Sequence, residues 1–560
     1  MIRLPVGLIL VAILQLVACA PTEHPSAPTS TLFTEITDDV GLGQADSAWP
    51  DGTYFLPEIM GPGVGLLDYD GDGDLDILQP RVPPPGRIAE PAANRLYRQE
   101  PDGSFVDVTA EAGVGHPGFG QGLAIGDMDG NGHPDLYFAN YGPDALYFNN
   151  GDGTFARGTE RAGIADDRWS AGATLCDYDR DGDLDLYVVH YLVFDYEGGC
   201  RAPSGIPDYC GPQQFDGVPD TLWQNAGDGT FVDVTRPAGI RRTDGKRAKG
   251  MAAVCLDLTD DGFADIYVAN DGEANQLWIN QGDGTFRDRA VMSGVAVNRH
   301  GHPEASMGLA AGDVDADGGV DLFMTHLALE HNTLYLRGRG RLFAERTVES
   351  RLSKHDLAFT GFGCALFDLD HDGDLDLALV NGRVRRDASE AGATTSFWDS
   401  YAESNLLLGN DGQGRFTDLT GSGGSLTSRI EVSRGLAVGD LDRDGDLDLV
   451  SSNADNTLRV YRNDAPPAGR HWLAVAARTS GRDAIGARVV VRAGGRARVG
   501  AILPGQSYMS SHEPIAHFGL GEIDRFERIE LTWPDGSQET FEGSAADRRI
   551  VVHQGEGQPL

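Results

Sequence analysis

Hydrophobic residues in this chain come in short runs separated by turns rich in Gly, Asp and Asn, and the order of the runs repeats. Each unit opens with a stretch of Gly and apolar residues such as Gly122-Leu123-Ala124-Ile125-Gly126. An acidic loop follows, then a run such as Leu136-Tyr137-Phe138-Ala139 or Leu186-Tyr187-Val188-Val189. A third run pairs Leu with an aromatic or apolar neighbour: Leu96-Tyr97, Leu146-Tyr147, Leu222-Trp223, Leu277-Trp278, Leu334-Tyr335 and Leu406-Leu407. A turn of the Gly-Asp-Gly-Thr type leads to a fourth run, Phe105-Val106-Asp107-Val108-Thr109, with relatives beginning at Phe155, Phe231, Phe286, Phe343 and Phe416. Runs this short predict strands, and the turns carry the residues that accept the positive dihedrals of tight hairpins. Four short antiparallel strands per unit predict the blade of a β-propeller.

The two ends of the repeat region sharpen the count. The seventh acidic loop is followed by Leu447 to Val450 and by Leu458-Arg459-Val460-Tyr461, and no fourth strand follows them. The missing strand stands before the first loop, as Phe33-Thr34-Glu35-Ile36-Thr37. An N-terminal strand that completes the last blade closes the ring and removes the open edge. The expectation is an all-β chain whose residues 32–464 form a seven-bladed β-propeller with calcium loops, swollen by insertions at about 191–220 and 382–404. After Ala465-Pro466-Pro467-Ala468-Gly469 the pattern changes, and residues 470–560 hold eleven Arg, no Lys and eleven acidic residues. Alternating runs such as Ala487-Arg488-Val489-Val490-Val491-Arg492 and Arg528-Ile529-Glu530-Leu531-Thr532-Trp533 predict a small C-terminal β-sandwich-like domain there.

The acidic loop is the same nine-residue phrase seven times, Asp-x-Asp-x-Asp-Gly-x-x-Asp with small variations. Side-chain ligands to a cation are expected from positions one, three, five and nine. These are Asp68, Asp70, Asp72 and Asp76; Asp127, Asp129, Asn131 and Asp135; Asp177, Asp179, Asp181 and Asp185; Asp257, Thr259, Asp261 and Asp265. The remaining loops supply Asp313, Asp315, Asp317 and Asp321; Asp368, Asp370, Asp372 and Asp376; Asp440, Asp442, Asp444 and Asp448. Position seven is expected to offer its backbone carbonyl, from Asp74, His133, Asp183, Phe263, Gly319, Asp374 and Asp446. All seven copies hold Gly at the sixth position, where the turn is sharp. Oxygen-only ligands in a flexible loop suit Ca²⁺, up to seven ions in a structural role, better than Mg²⁺. An EF-hand is excluded, because it needs Glu at position twelve and the chain has Gln79, Phe138, Val188, Val268, Met324, Leu379 and Ser451 there. The fourth site, with Thr259, is expected to be the weakest, followed by the second with Asn131.

Charge agrees with that chemistry. The 560 residues carry 85 acidic and 45 basic side chains, a formal −40, which seven divalent ions bring to −26. Such a balance argues against binding nucleic acid or an anionic membrane surface by charge. Calcium modules outside the cell commonly have dissociation constants on the order of 10⁻⁴–10⁻³ M, a range useless in a cytosol.

The N-terminus predicts export. A basic start at Arg3 and an apolar run from Val6 to Ala18 make a secretory signal over residues 1–18, too short for a membrane span. Leu16-Val17-Ala18-Cys19 resembles a bacterial lipobox, which makes Cys19 the lipidated first residue of a membrane-anchored lipoprotein; a plain cleavage near Ala20 is the alternative. Residues 19–31, rich in Pro, Ser and Thr, read as a tether. In an exported protein Cys200 and Cys210, which flank a Gly- and Pro-rich insertion, are expected to pair. Cys176, Cys255 and Cys364 precede acidic loops in apolar strands and are expected to be small buried thiols.

Five residues after each closing Asp the strand ends on a polar side chain: Arg81, Asn140, His190, Asn270, His326, Asn381 and Asn453. These are the candidate ligand face, opposite the calcium loops, unless they only cap strand ends and satisfy turns. No catalytic residue is assigned. An enzyme would have to recruit His190, His302, Glu304, His326 and His331, and no nucleophile elbow, His-Glu-x-x-His or phosphate loop occurs. Trp398 and Tyr401 in the second insertion are candidates to stack on a sugar or peptide.

Asp-Tyr-Asp-Gly-Asp-Gly-Asp-Leu-Asp, together with Gly-Asp-Gly-Thr-Phe-x-Asp-x-Thr-x-x-Ala-Gly, resembles the FG-GAP/VCBS repeats of integrin-alpha-like propellers. Tyr209-Cys210-Gly211-Pro212, and the tail from Arg482-Asp483-Ala484-Ile485-Gly486-Ala487-Arg488 to His517-Phe518-Gly519-Leu520-Gly521, resemble the cartilage-acidic-protein-like family with its ASPIC/UnbV domain. The resemblance implies a calcium-dependent extracytoplasmic protein that binds or adheres to protein or glycan partners. Asn381-Gly382-Arg383-Val384 departs from the Asn-Gly-His-Val usual in that family. The alternatives are an exported enzyme acting on polysaccharide from the propeller funnel, and a purely architectural module.

Overall fold

The computed structural model describes residues 31–43, 54–83, 94–194, 199–202, 204–241, 248–338, 340, 342–386, 397–465 and 469–560. Cys19, the leader and nearly all of the tether lie outside the described residues. The chain is all-β, and its α-helices are single turns of four or five residues.

Seven antiparallel sheets carry four repeat strands each. The second sheet is typical, with Gly120–Gly126, Asp135–Asn140, Ala145–Asn149 and Phe155–Arg157 in simple sequence order. Ile125 pairs with Leu136, Leu136 with Tyr147 and Tyr147 with Arg157. The apolar side chains of the first three strands are buried on both faces, because each sheet packs between two neighbours. The seventh sheet breaks sequence order as its ends predict. Ser433–Gly439, Asp448–Asn453 and Leu458–Asn463 are completed by Phe33–Glu35, with Phe33 opposite Asn463.

The C-terminal residues form two sheets around their own core. His471–Thr479 pairs with Ala516–Gly521 and, in parallel, with Arg548–His553, while Arg488–Ala493 lies between Arg496–Ala501 and Arg528–Thr532. Leu473, Val475, Val489, Val491, Ile529 and Trp533 fill the space between them.

One hairpin of this domain leaves it. Gly505–Gln506 and Ser510–Ser511 join the first repeat sheet, where Ser511 pairs in parallel with Gly65. Ser507 exchanges backbone hydrogen bonds with Leu309, and its hydroxyl accepts the Cys364 N–H at 3.1 Å. The hairpin touches the first strand of every one of the seven sheets. At its tip Tyr508 is fully buried, stacks edge-on to Phe362 and donates to the Met60 carbonyl at 3.1 Å. From the other side the turn Leu56–Met60 and the fully buried Arg434 close the same space; Arg434 Nε donates to the Ile59 carbonyl and its guanidinium lies over Phe362. The open funnel expected for a ligand is therefore filled by the chain itself.

Candidate metal centre

Each acidic loop is built by hydrogen bonds from its own backbone. The carboxylate at position one accepts the N–H of the sixth-position Gly in loops two to seven, as in Gly132 to Asp127 (2.8 Å) and Gly373 to Asp368 (2.8 Å). That Gly has φ between 86° and 98° in all seven copies, a conformation hostile to other residues. Position four is left-handed too, and there the chain places Arg180, Asp260, Ala316, His371 and Arg443 as well as two Gly. Non-Gly residues pay strain at such angles, which marks a loop held by something stronger than local preference.

The ninth-position Asp is the anchor of the site. Asp135 is fully buried; one oxygen accepts the N–H of Met128 at 2.7 Å and the other the N–H of Asn149 at 2.8 Å. The same double acceptance recurs at Asp76, Asp185, Asp321, Asp376 and Asp448. It ties loop, second strand and third strand together. Six acidic groups among the described residues converge with ligand oxygens within 4.8 Å, and five of them are the carboxylates of positions one, three and nine: Asp68, Asp70 and Asp76; Asp127, Asp129 and Asp135; Asp177, Asp179 and Asp185; Asp313, Asp315 and Asp321; Asp368, Asp370 and Asp376. The position-five side chain also accepts the N–H of position seven through one of its oxygens, at 2.8–3.0 Å in all seven copies.

Electrostatics say what this arrangement lacks. Burial, reinforced by the neighbouring carboxylates, pushes Asp76, Asp135, Asp265 and Asp321 up to about 8, and Asp313, Asp368 and Asp440 up to about 7. Enclosed oxygens Asp129 Oδ1, Asp177 Oδ1, Asp315 Oδ1 and Asp440 Oδ1 have no hydrogen bond of good geometry. Converging anionic oxygens without donors fit a hard cation, which supplies the missing positive charge.

The polar ring expected on the opposite face is not a ligand surface. Arg81, Asn140, His190, Asn270, His326, Asn381 and Asn453 are at most 6% exposed. Asn140 donates to the Pro143 carbonyl and Asn270 to that of Ala274, within the next turn; Asn381 donates to the Ser404 carbonyl and Asn453 to the Thr457 hydroxyl. His190 bonds Asp166 and His326 bonds Ser306, each at 3.0 Å. Of the residues an enzyme would recruit, His331 turns to Asp356 and Glu304 is held by Asn298 and Thr333. Trp398 and Tyr401 are buried rather than open platforms, and Tyr401 donates to Asp208 at 2.8 Å. Cys200 and Cys210 are bridged. Cys364 is a buried thiol, but Cys176 and Cys255 form a disulfide, Cα–Cα 6.0 Å, contrary to expectation. The first strands of the third and fourth sheets run side by side and bring them together, a proximity that 79 residues of intervening sequence conceal.

Two sets of structural residues escaped the sequence. The last residue of each third strand reaches back to the preceding sheet's loop. Asn149 donates to the Tyr69 carbonyl, Asn225 to Met128, Asn280 to Tyr178, Asn410 to Val314 and Asn463 to Leu369, at 2.7–2.9 Å. Gln99 does the same to Leu441, and at the fifth sheet Arg337 reaches Asp260 instead. The residue just before the third strand (Asp144, Asp220, Asn275, Asn332, Asn405) accepts the N–H of the ring residue described above. An Asp or Asn at a fixed offset from most of the Leu-aromatic pairs was the available signal for both, with Gln99 and Arg337 as departures.

Loops and sheets of this kind define a propeller-like repeat protein. An FG-GAP-like repeat model matches residues 68–138, 127–188 and 257–324, and an ASPIC and UnbV model matches residues 477–559. The chain thus carries FG-GAP-like repeats followed by a region that matches ASPIC and UnbV. It is similar to cartilage acidic protein 1 of Xenopus tropicalis (26% identical, 93% of this chain and 76% of that protein) and of Homo sapiens (25% identical, 95% and 76%). Among solved structures it is similar to YCF48 from Cyanidioschyzon merolae (8% identical, 77% of this chain and 99% of that chain, TM-score 0.41). Another is an Agrocybe aegerita lectin that recognises non-reducing terminal N-acetylglucosamine (17% identical, 73% and 89%, TM-score 0.37).

Proposed function

We propose that the chain is a calcium-loaded, seven-bladed propeller, closed by Phe33–Glu35, that works outside the cytoplasm as a binding or adhesion protein for protein or glycan partners. The observation that carries it is the convergence of buried, donor-free carboxylate oxygens in successive loops of one repeat. Sites repeated from loop to loop stabilise equivalent hairpins and single out no reaction centre, so the metal is structural. Export and a lipid anchor at Cys19 supply the millimolar calcium that such loops need. The C-terminal domain lies on the calcium-loop side and the axis is filled, so partners meet the outer surface of the opposite face rather than the buried polar ring beneath it. Screening the protein on glycan and peptide arrays, with calcium and with chelator, tests this. Calcium-dependent retention of a ligand class supports it; equal behaviour in chelator, or turnover of a bound polysaccharide, counts against it.

A further inference from the structure

The C-terminal domain is seated on the backbone of the acidic loops, which decides what holds it there. Gly521 N–H donates to the His371 carbonyl at 2.9 Å, and His517 Nε2 bonds the Gly445 carbonyl at 2.9 Å. Arg488 donates to the Gly318 carbonyl and Arg470 to the Asp370 carbonyl, at 3.2 and 3.0 Å. Trp472 stacks on His517 and lies against Gly445, the sixth-position Gly of loop seven. The Glu513 carboxylate, buried where the hairpin enters the axis, accepts the Asp440 N–H at 3.1 Å. Arg470 also pairs with the Asp370 and Asp372 side chains, and Arg482 lies 3.6 Å from Asp183.

Most of these contacts read the shape of a loop rather than its charge. Carbonyls of positions three, four and six accept from the domain only while the loop holds its turn, left-handed at positions four and six. A loop of four mutually repelling carboxylates keeps that turn when a cation sits among them. The hairpin Gly505–Ser511 belongs to the same rigid piece of chain, through Ile502 packed in the domain core and Glu513 at loop seven.

Resting on the calcium reading above, we propose that loop occupancy and seating of the C-terminal domain are one coupled equilibrium: calcium shapes the loops, the domain docks on them, and its hairpin is thereby threaded into the propeller axis. Loss of calcium unseats the domain and withdraws Tyr508 from between Phe362 and Met60. A calcium-poor compartment thus holds an unplugged form, and the calcium-rich exterior locks the finished one. Coupling is reciprocal, so weakening the seat lowers calcium affinity.

The test is hydrogen–deuterium exchange on the full chain, with calcium and along a chelator titration, beside calorimetric calcium binding. Amides of residues 505–511 are expected to exchange at least tenfold faster without calcium, while Leu473–Ala477 in the domain core stay protected. Equal protection of the hairpin in both states, with calcium binding seen by calorimetry, overturns the coupling and leaves the calcium reading intact. Simultaneous loss of protection in hairpin and core overturns it as well, since that is global unfolding. Absence of calcium binding removes the calcium reading and the coupling with it. His517→Leu, which keeps bulk and removes the bond to Gly445, is expected to weaken calcium binding roughly fivefold; unchanged affinity counts against the proposal.

Discussion

Gln99 Nε2 donates to the carbonyl of Leu441 at 2.9 Å, across 342 positions of sequence. Its neighbours in the repeat, Asn149, Asn225, Asn280, Asn410 and Asn463, make the same bond to the loop one sheet earlier, so Gln99 links the first sheet to the loop of the seventh. The bond is buried, so breaking it leaves a desolvated carbonyl.

Replacing Gln99 by Leu leaves the Leu441 carbonyl without its donor. The expected loss is about 1–3 kcal/mol of stability in denaturant unfolding. A variant as stable as the parent would show that the seam between first and seventh sheets is not under this latch.

Asp135→Asn removes the charge that the carboxylate carries when metal is bound, and it also mismatches hydrogen bonds. An amide keeps one acceptor, yet Asp135 accepts Met128 N–H on one oxygen and Asn149 N–H on the other. The amide NH₂ must then face a backbone donor, which costs about 1–3 kcal/mol. Calorimetry is expected to show one calcium equivalent fewer, and unfolding a destabilised protein even without metal.

Calcium binding near neutral pH is expected to release protons. In the metal-free protein Asp76, Asp135, Asp265 and Asp321 are held at about 8 by burial, against 3.8 for the ordinary side chain. The folded, metal-free chain therefore holds protons that the unfolded chain has lost, so its stability falls as pH rises through 7 to 8. A cation displaces those protons, so apparent affinity rises over the same window. Calorimetry in buffers of different ionisation enthalpy measures the count, and a buffer-independent heat at pH 6.5 would refute it.

Cys176 and Cys255 staple the third and fourth sheets. Serine at both positions is expected to lower stability by about 2–5 kcal/mol, the usual loss on removing a native disulfide. Non-reducing peptide mapping checks the pairing directly, with Cys200–Cys210 as the second bridge.

The legible part of the site was the part written locally. Asp68 to Asp76 lie within nine residues, so spacing alone places positions one, three and nine around one point. Asp72 and its counterparts, expected as ligands from the same spacing, also accept the N–H of position seven through one oxygen, a bond set by the turn. His190 and His326 looked like a ligand ring because strand ends are usually wet. All seven side chains are buried, and Asn140, His190, Asn270, His326, Asn381 and Asn453 are internal hydrogen-bond partners.

Sequence by itself determined the repeat and the displaced strand at Phe33. Each of those follows from short-range periodicity, which repeats identically wherever the chain folds the unit. Only the tertiary structure decided that Cys176 meets Cys255, that Gln99 meets Leu441 and that Tyr508 fills the axis. Those contacts join residues whose local sequence is silent about one another, and packing of whole sheets brings them within bonding distance.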